Sequence, residues 1–432
     1  MEEKGEIIRL SSTVSPVYMV PALIQKHDGA GPIIFEKMEN HDTRVVANIC
    51  ASRDSICEAL GVDRDELNMH LLYAQENPTP CKVVETIPQS HNLSLLDIPV
   101  LTHYSGEQGP YITAGLVYAK NSKGYGNVSY HRLDVLDKDT VSISIQPGHL
   151  AEIIEETRES GKKYLDISIS IGNHPAVMMA AALRPSRNIC EYDVANTLLG
   201  GTLELFKCPN VDALAPVHSE LVLEARVMVD VFADEGPYVC VTGTLKPAKK
   251  MPVVKIISAI KQGDYLYQGL LGAGTEHRLL ESIPNEVKIW NKLTKQGHKI
   301  KGVHMTPSGS SWLHCVVSAE KQNDDEPRKM LNTVFDAVRA VKHAIIVDED
   351  IDIFDQEAVE WALATRFQAD KDLMILPETY ASRLDPSSNQ EKKTGCKLGF
   401  DATIPLDDDK SDYLRAKIPF NIRATCWRTV GF

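Results

Sequence analysis

Three side chains in the middle of the chain have the types expected of a divalent metal site. Asn127, His149 and Glu191 supply an amide, an imidazole and a carboxylate, spaced 22 and 42 residues apart. Such donors suit Mn²⁺ or Mg²⁺ better than a thiolate-bound metal, and three ligands leave positions open for water or a phosphate oxygen. The chain has 14 histidines, and a single histidine is more often a surface or packing residue, so that alternative stays open on spacing alone.

Arg132 and Glu235 form a second candidate pair. An arginine presents a bidentate fork to a substrate carboxylate, and a partly desolvated carboxyl beside it can be tuned for proton transfer. The alternative is a structural ion pair. Asn127 and Arg132 are five residues apart, so one regular strand would point them to opposite faces. If both line one site, Asn127 must precede the strand or a bulge must intervene.

Cys240 is a third candidate, two residues beyond Tyr238 on a predicted strand. A thiol becomes a nucleophile only when its pKa is lowered. No histidine lies close to Cys240 in the sequence, so a buried, unreactive cysteine is the simpler interpretation.

The acidic run at 348–355 is not a calcium loop, because Ile353 stands where an EF-hand needs glycine. Asp355 is instead predicted to cap a helix that ends near Arg366.

The elements that must position these residues are mostly strands. Two apolar runs, 112–120 and 128–135, flank a polar turn and predict a hairpin. Residues 141–145 and 221–231 alternate between apolar and polar side chains, as half-buried strands do. His149 follows a Pro-Gly break and begins a helical pattern, which places it at a strand-to-helix junction.

Composition limits the broad class. A length of 432 residues predicts two or three domains. The net charge of −13 argues against a nucleic-acid surface. Nine cysteines without a C-x-x-C pair, and an N-terminus without an apolar signal region, predict reduced thiols and a cytoplasmic location. No apolar run reaches the length of a membrane span, so we expect no membrane partner.

Ten short segments of this chain occur in the order found in one family. The chain resembles the UbiD-type decarboxylases, which use prenylated FMN. The segments that carry the resemblance are NVSYHR at 127–132, QPGH at 146–149, Glu191, LELFKC at 203–208, SELVLE at 219–224, EGP at 235–237, DEDID at 348–352, WALATR at 361–366, LDP at 384–386 and KLGFDAT at 397–403. Each is modest alone, but their joint order is specific.

The resemblance implies an α/β (α+β) fold: a flavin-binding split β-barrel at 106–315, an N-terminal α/β domain at 1–105 and a C-terminal α/β oligomerisation domain at 316–432. Asn127, His149 and Glu191 then correspond to ligands of a manganese or magnesium ion that clamps the flavin phosphate, with a potassium ion nearby. Arg132 and Glu235 correspond to two members of a catalytic Arg-Glu-Glu set. The positions implied for cofactor binding are Ser129, Tyr130, Arg132, Gly148, His149, Ala182, Leu183, Glu191 and Lys397, with Lys397 reaching the phosphate.

Cys240 departs from the family pattern. The family has Glu or Asp five residues after the Glu of its EGP segment, and this chain has Cys240 there. In the family that acid delivers the proton after CO₂ leaves, and a thiol is a far weaker acid than a carboxyl. Glu235, a water molecule or Cys240 itself remains as the donor. By resemblance Cys240 lies near Arg132 and Glu235, whose opposing charges predict a mostly neutral thiol.

The resemblance implies a lyase that reversibly removes CO₂ from an unsaturated or (hetero)aromatic acid, with the prenylated flavin as electron sink. A first alternative is decarboxylation of a phosphorylated enoic acid in isoprenoid synthesis. A second is a non-catalytic flavin-binding subunit, which the departure at Cys240 motivates. We expect a homodimer or homohexamer that depends on a flavin prenyltransferase for its cofactor and has a small carboxylic acid as substrate.

Overall fold

The computed structural model describes residues 7–86 and 88–416. The N-terminal residues on which the signal-peptide prediction was based lie outside this range. None of the helices in the described segments is long and apolar enough to cross a membrane. The eight cysteines in those segments are free thiols, as the sequence predicted for them.

The described chain contains both strands and helices, with runs of consecutive strands in its middle part. The first part contains β1 (Ile8–Val14), α1 (Met19–Lys26), β2 (Ile33–Met38), β3 (Arg44–Ala47), α2 (Arg53–Leu60), α3 (Leu67–Glu76) and β4 (Lys82–Val84). The middle contains β5 (Tyr111–Ile112), β6 (Leu116–Lys120), β7 (Gly126–Tyr130), β8 (Leu133–Val135), β9 (Thr140–Ile143), α4 (His149–Glu159), β10 (Tyr164–Ile171), α5 (Pro175–Leu183), α6 (Glu191–Leu198), β11 (Glu204–Lys207), β12 (Leu214–Pro216), β13 (Leu221–Glu235), β14 (Tyr238–Val239), β15 (Leu245–Lys246), β16 (Lys249–Lys261) and β17 (Leu266–Gln268). The last part contains α7 (Thr275–Lys295), β18 (Lys299–Met305), β19 (His314–Glu320), α8 (Glu326–Ala337), β20 (His343–Asp348), α9 (Gln356–Arg366), α10 (Ala369–Asp372), β21 (Leu373–Tyr380) and β22 (Thr394–Ala402).

An eight-stranded antiparallel sheet in the order β5-β8-β9-β16-β13-β10-β6-β7 forms the centre. β7 and β8 stand six positions apart in this order, yet only His131 and Arg132 separate them in the chain. In a flat sheet six spacings of about 4.8 Å would separate them by roughly 29 Å, whereas three residues span at most about 11 Å. The sheet must therefore curl until its ends nearly meet. This confirms the predicted barrel-like middle within a mixed α/β fold.

Two of the four smaller sheets contain the strands from the two ends of the described chain. The N-terminal sheet has the order β1-β2-β3-β17, so its last strand comes from the end of the middle segment. The C-terminal sheet has the order β18-β19-β20-β22-β21. The predicted domain boundary between residues 315 and 316 falls inside β19, which pairs with β18 in the C-terminal sheet. Since one strand cannot be divided between two domains, the boundary must lie before β18.

Short sequence signals account for several helix ends. Ser52 caps α2 through the backbone N–H of Ser55, and the left-handed Gly61 (φ 67°) ends that helix. Asp355 accepts a hydrogen bond from the N–H of Glu357 at the start of α9, as predicted. His149 begins α4, which confirms its predicted position at a strand-to-helix junction.

The helix α7 contributes to two hydrophobic cores. Leu280, Ile283 and Val287 pack with α3, α5 and α6 against the middle domain. Further along the same helix, Ile289 and Leu293 pack into the core of the C-terminal sheet. The two parts of the molecule are thus joined by a single continuous helix.

Candidate active site

Arg132 and Glu235 form a bidentate ion pair in which the Glu235 side chain is 1% exposed and the Arg132 side chain is 27% exposed. Arg132 lies in the link between β7 and β8, and Glu235 is the last residue of β13. Arg132 Nε donates to Glu235 Oε1 at 2.5 Å, and a terminal guanidinium nitrogen donates to Oε2 at 2.8 Å. Burial alone would lower the pKa of Arg132, but the hydrogen bonds and charge of Glu235 outweigh it and raise the pKa, which keeps the guanidinium charged.

The break between β7 and β8 resolves the problem of strand parity. β7 pairs with β6 and contains Asn127 as its second residue. The chain leaves that ladder after Tyr130 and joins β5 and β9 only from Leu133 onward. Arg132 belongs to neither strand, so the side-chain alternation of a strand does not fix its direction relative to Asn127.

Two tyrosines and an aspartate surround the pair. The Arg132 guanidinium lies 4.4 Å from the ring centre of Tyr238, and Tyr111 meets Tyr238 edge-on at 4.7 Å. The Tyr111 hydroxyl donates to Asp134 Oδ2 at 3.2 Å. Burial raises the pKa of Asp134 to about 7. The sequence analysis missed Asp134, although a carboxyl between Leu133 and Val135 in an apolar strand is a signal that was available.

Asn127 and Glu191 also come together. Asn127 Nδ2 donates to Glu191 Oε1 at 3.0 Å, and the backbone N–H of Val128 donates to Oε2 at 2.6 Å. Burial raises the pKa of Glu191 to about 8, against the opposing effect of these hydrogen bonds. A cation beside this carboxyl would favour its charged form, which fits the donor set predicted for a divalent ion.

His149 lies at the first position of α4, a helix that borders β7. Its ring is half-buried and, within the described residues, has no hydrogen bond or ion pair, so both nitrogens remain available to a ligand. No group of three or more His, Cys, Asp or Glu side chains that could hold a metal ion is found in residues 7–86 and 88–416. A metal site here would therefore depend on the Asn127 oxygen.

Three family models together match nearly the whole chain. They describe the N-terminal domain, the Rift-related domain and the C-terminal domain of 3-octaprenyl-4-hydroxybenzoate carboxy-lyase, and they match residues 1–74, 73–274 and 278–402. The chain belongs to the UbiD family. It is accordingly a carboxy-lyase, and the predicted family and enzyme class are confirmed.

Individual UbiD relatives match over similar lengths. The anhydromevalonate phosphate decarboxylase of Methanothermobacter thermautotrophicus is 33% identical over 93% of this chain and 95% of its own. The UbiD-class enzyme HmfF from Pelotomaculum thermopropionicum, solved with FMN, is 35% identical, with a TM-score of 0.93 over 97% of this chain and 95% of its own. An evolved dimeric form of HmfF, solved with prenylated FMN, gives 33% identity and a TM-score of 0.89 over 97% of this chain and 95% of its own.

The positions predicted to contact the UbiD cofactor gather around β7. Ser129 and Tyr130 end that strand, while Ala182 and Leu183 end α5, which packs against it. Gly148 is exposed and directly precedes α4. The Tyr130 hydroxyl is buried and has no hydrogen-bond partner in the described structure.

Cys240 lies in the turn between β14 and β15. Its Sγ atom is 2.8 Å from the Thr242 hydroxyl and 3.5 Å from that of Thr244. Burial raises the pKa of the thiol, but the two threonine hydrogen bonds outweigh it, so the pKa lies below its ordinary value. The mostly neutral thiol expected from the sequence was argued from the charges of Arg132 and Glu235 alone, without these two hydroxyls.

Lys397 is also engaged elsewhere. Its ammonium donates to the backbone carbonyls of Arg339 and Val341 at 2.7 and 2.6 Å, within the C-terminal domain. Burial lowers its pKa to about 8. In this conformation two carbonyls hold the group that was predicted to reach a phosphate.

His131 is a further residue that the sequence analysis left aside. Its Nε2 atom lies 3.0 Å from the Ser129 hydroxyl, and its Nδ1 atom lies 2.9 Å from the Ser144 carbonyl. Burial lowers the pKa of His131 to about 4, so the ring is neutral. A neutral ring that bonds a carbonyl through Nδ1–H accepts at Nε2, so it orients the Ser129 hydroxyl. The NVSYHR segment contained this residue between two assigned positions.

Proposed function

We propose that this chain decarboxylates a phosphorylated, unsaturated carboxylic acid with the help of prenylated FMN. The supporting observation is the bidentate Arg132–Glu235 pair, in which a half-buried guanidinium can bind a substrate carboxylate beside a buried carboxyl that can move a proton. The similarity to anhydromevalonate phosphate decarboxylase favours the phosphorylated acid. The sequence analysis gave that substrate as its alternative and placed unsaturated or (hetero)aromatic acids in general first.

Each residue of the pair has one task in the proposed reaction. Arg132 binds the substrate carboxylate and aligns the bond to be broken. Prenylated flavin, when bound, supplies the electron sink for the carbon–carbon bond. Loss of CO₂ requires one proton to replace it on the same carbon, and Glu235, 1% exposed and beside Arg132, is the carboxyl placed to relay it. Glu235 accepts two hydrogen bonds from Arg132 as a carboxylate, so it first takes a proton from water and then delivers that proton to the carbon. Cys240 is not needed for this step.

Asn127, His149 and Glu191 are proposed to hold Mn²⁺ or Mg²⁺ against the flavin phosphate, with K⁺ nearby. His149→Ala should then lose both manganese and flavin, because the ion binds the protein and the phosphate together. Metal analysis and flavin absorbance of the purified variant check this. Full occupancy of both would remove His149 from the ligand set.

The decisive experiment compares two preparations of the protein, one co-produced with a flavin prenyltransferase and one without. Only the first should release CO₂ from a phosphorylated enoic acid, and it should prefer that acid to its dephosphorylated form. Equal activity of the two preparations would contradict the cofactor assignment. Bound prenylated flavin without turnover of any acid would favour the non-catalytic subunit.

The oligomeric state remains a prediction from the resemblance to the family. A homodimer or homohexamer stays the prediction, and a dimeric form exists for one UbiD relative. Light scattering on the purified protein checks it, and a monomer at micromolar concentration would contradict it.

A further inference from the structure

Three basic side chains gather beside the Arg132–Glu235 pair. His277 and Arg278 lie in the first turn of α7, and His103 lies in the loop that precedes β5. Burial lowers the pKa of His277, and the charges of Arg278, Arg132 and His103 lower it further. The cluster thus continues from the proposed carboxylate-binding arginine toward the start of α7.

The loop that carries His103 is fixed to the walls of the site. Glu107 accepts hydrogen bonds from the backbone N–H groups of His103, Tyr104 and Val239, at 3.2, 3.1 and 3.2 Å. The Tyr104 hydroxyl donates to the Gly272 carbonyl at 2.7 Å, just before α7. His103 and α7 are therefore held in a defined relation, as a binding site requires.

The cluster contains buried polar atoms without partners. The His103 side chain is 0% exposed, and neither of its ring nitrogens has a hydrogen bond in the described structure. Its Nδ1 atom is 3.7 Å from Glu107 Oε2, too long for a hydrogen bond. Arg278 Nε is likewise buried and without a partner among the described residues. Buried polar groups normally have partners, so these atoms are available to bind a ligand.

The donor atoms of the cluster suit an anion. The backbone N–H of Ala273 donates to His277 Nδ1 at 3.0 Å, so the neutral ring carries its proton on Nε2 and donates from there. Nearby carboxylates have other partners: Glu107 accepts from the three N–H groups above, and Asp28 accepts from the N–H and hydroxyl of Thr275. Glu281 Oε1 lies 4.0 Å from His277 Nε2 and is the one carboxylate facing this ring that the described residues provide.

We propose that His103, His277 and Arg278 bind the phosphate group of the substrate, while Arg132 binds its carboxylate at the other end. Arginine and histidine donors at a helix N-terminus match the oxygens and charge of a phosphate monoester. The proposal rests on the proposed function, because it assumes a substrate with both groups. It explains how one pocket distinguishes a phosphorylated acid from the acid alone.

The test uses flavin-loaded protein, so that the cofactor already fills its own phosphate site. Arg278→Met should raise the KM for a phosphorylated enoic acid about 10-fold or more, as expected for loss of a charged hydrogen bond. It should leave the kcat/KM for the dephosphorylated acid within about twofold. Arg64→Met is the matched control, since Arg64 is a surface arginine paired with Asp54. Equal kinetics of Arg278→Met and Arg64→Met would overturn the proposal.

Calorimetric titration with inorganic phosphate separates this proposal from the proposed function. The wild type and Arg64→Met should bind phosphate, and Arg278→Met should bind it at least about 10-fold more weakly. Arg278→Lys keeps the charge and takes the place of Arg278→Met if that variant does not fold. Its phosphate affinity should lie between those expected for the wild type and for Arg278→Met. Phosphate binding without turnover of a phosphorylated acid would reject the function and keep the subsite. Turnover with unchanged phosphate binding in Arg278→Met and Arg278→Lys would reject the subsite alone.

Discussion

Arg132 does two things that a lysine cannot do together. Its planar guanidinium donates hydrogen bonds to both carboxylate oxygens of Glu235 and lies over the Tyr238 ring. An ammonium keeps the charge but loses the fork and the stacking surface. Arg132→Lys should therefore lower kcat/KM about 100-fold or more, while flavin content and unfolding temperature change little, because Glu235 keeps a cationic partner.

A matched arginine serves as the control for that variant. Arg226 also lies 4.4 Å from a tyrosine ring centre, that of Tyr164, and its Nε donates to Asp166 at 2.9 Å. It belongs to β13, and its partner Asp166 belongs to β10. Arg226→Lys should leave turnover unchanged, so equal losses in the two variants would show that the effect of Arg132→Lys is structural.

Asp134 gives a pH dependence of known sign. Burial raises its pKa from 3.8 to about 7 in the folded protein, so folding favours the protonated carboxyl. Its contribution to stability is fully present below about pH 4 and is lost as the pH rises to about 7. Asp134→Asn should therefore gain stability relative to wild type over this range, by at most roughly 4 kcal/mol. Urea unfolding of both proteins at pH 4.5 and 7.5 checks this, and a difference that does not change with pH would contradict it.

At the scale of elements, the start of α7 is capped by a residue that is distant in the chain. Both oxygens of Asp28 accept hydrogen bonds from the first residue of the helix, Thr275, at 3.0 and 3.1 Å. Asp28→Ala removes this capping interaction and should lower the free energy of unfolding by about 1–2 kcal/mol. Asp264→Ala is the control, because its exposed pair with Arg44 should contribute less than about 1 kcal/mol. Equal losses in the two variants would argue against capping.

Local sequence patterns predicted individual elements well, but they did not predict which distant residues those elements contact. The Asp355 cap depends on a few adjacent residues, and it was predicted. Glu224 was assigned to the polar face of its strand, but it is 0% exposed and accepts hydrogen bonds from Ser90 and Asn210. Those partners lie far away in the chain or in loops, so alternation within the strand carries no information about them.

The candidate site shows the same limit. The resemblance brought Arg132 and Glu235 to attention, and the structure pairs them. The two threonines that lower the pKa of Cys240 follow it by two and four residues, but only the turn geometry directs their hydroxyls at the sulfur. Likewise, no sequence pattern shows that two carbonyls hold Lys397.

At the scale of the whole molecule, a buried ion pair ties three elements together. Glu286 on α7 is 0% exposed and accepts from Arg53 of α2 at 2.7 Å and from the N–H of Met305 in β18 at 3.0 Å. Glu286→Gln leaves the Arg53 charge buried without its counterion, which should cost about 3–5 kcal/mol of unfolding free energy. Glu204→Gln, in an exposed pair with Lys82, should cost less than about 1 kcal/mol. Similar losses, measured by urea unfolding, would contradict a linking role.

The position of β17 has a consequence for synthesis on the ribosome. β17 begins at Leu266 and pairs in parallel with β3, which ends at Ala47. Roughly 220 residues must therefore be translated after β3 before its partner exists, which takes about 10–45 s at ordinary elongation rates. During that interval the edge of β3 stays open to pairing with another chain. The nascent N-terminal segment is thus the part of this protein for which we expect the greatest need of a chaperone.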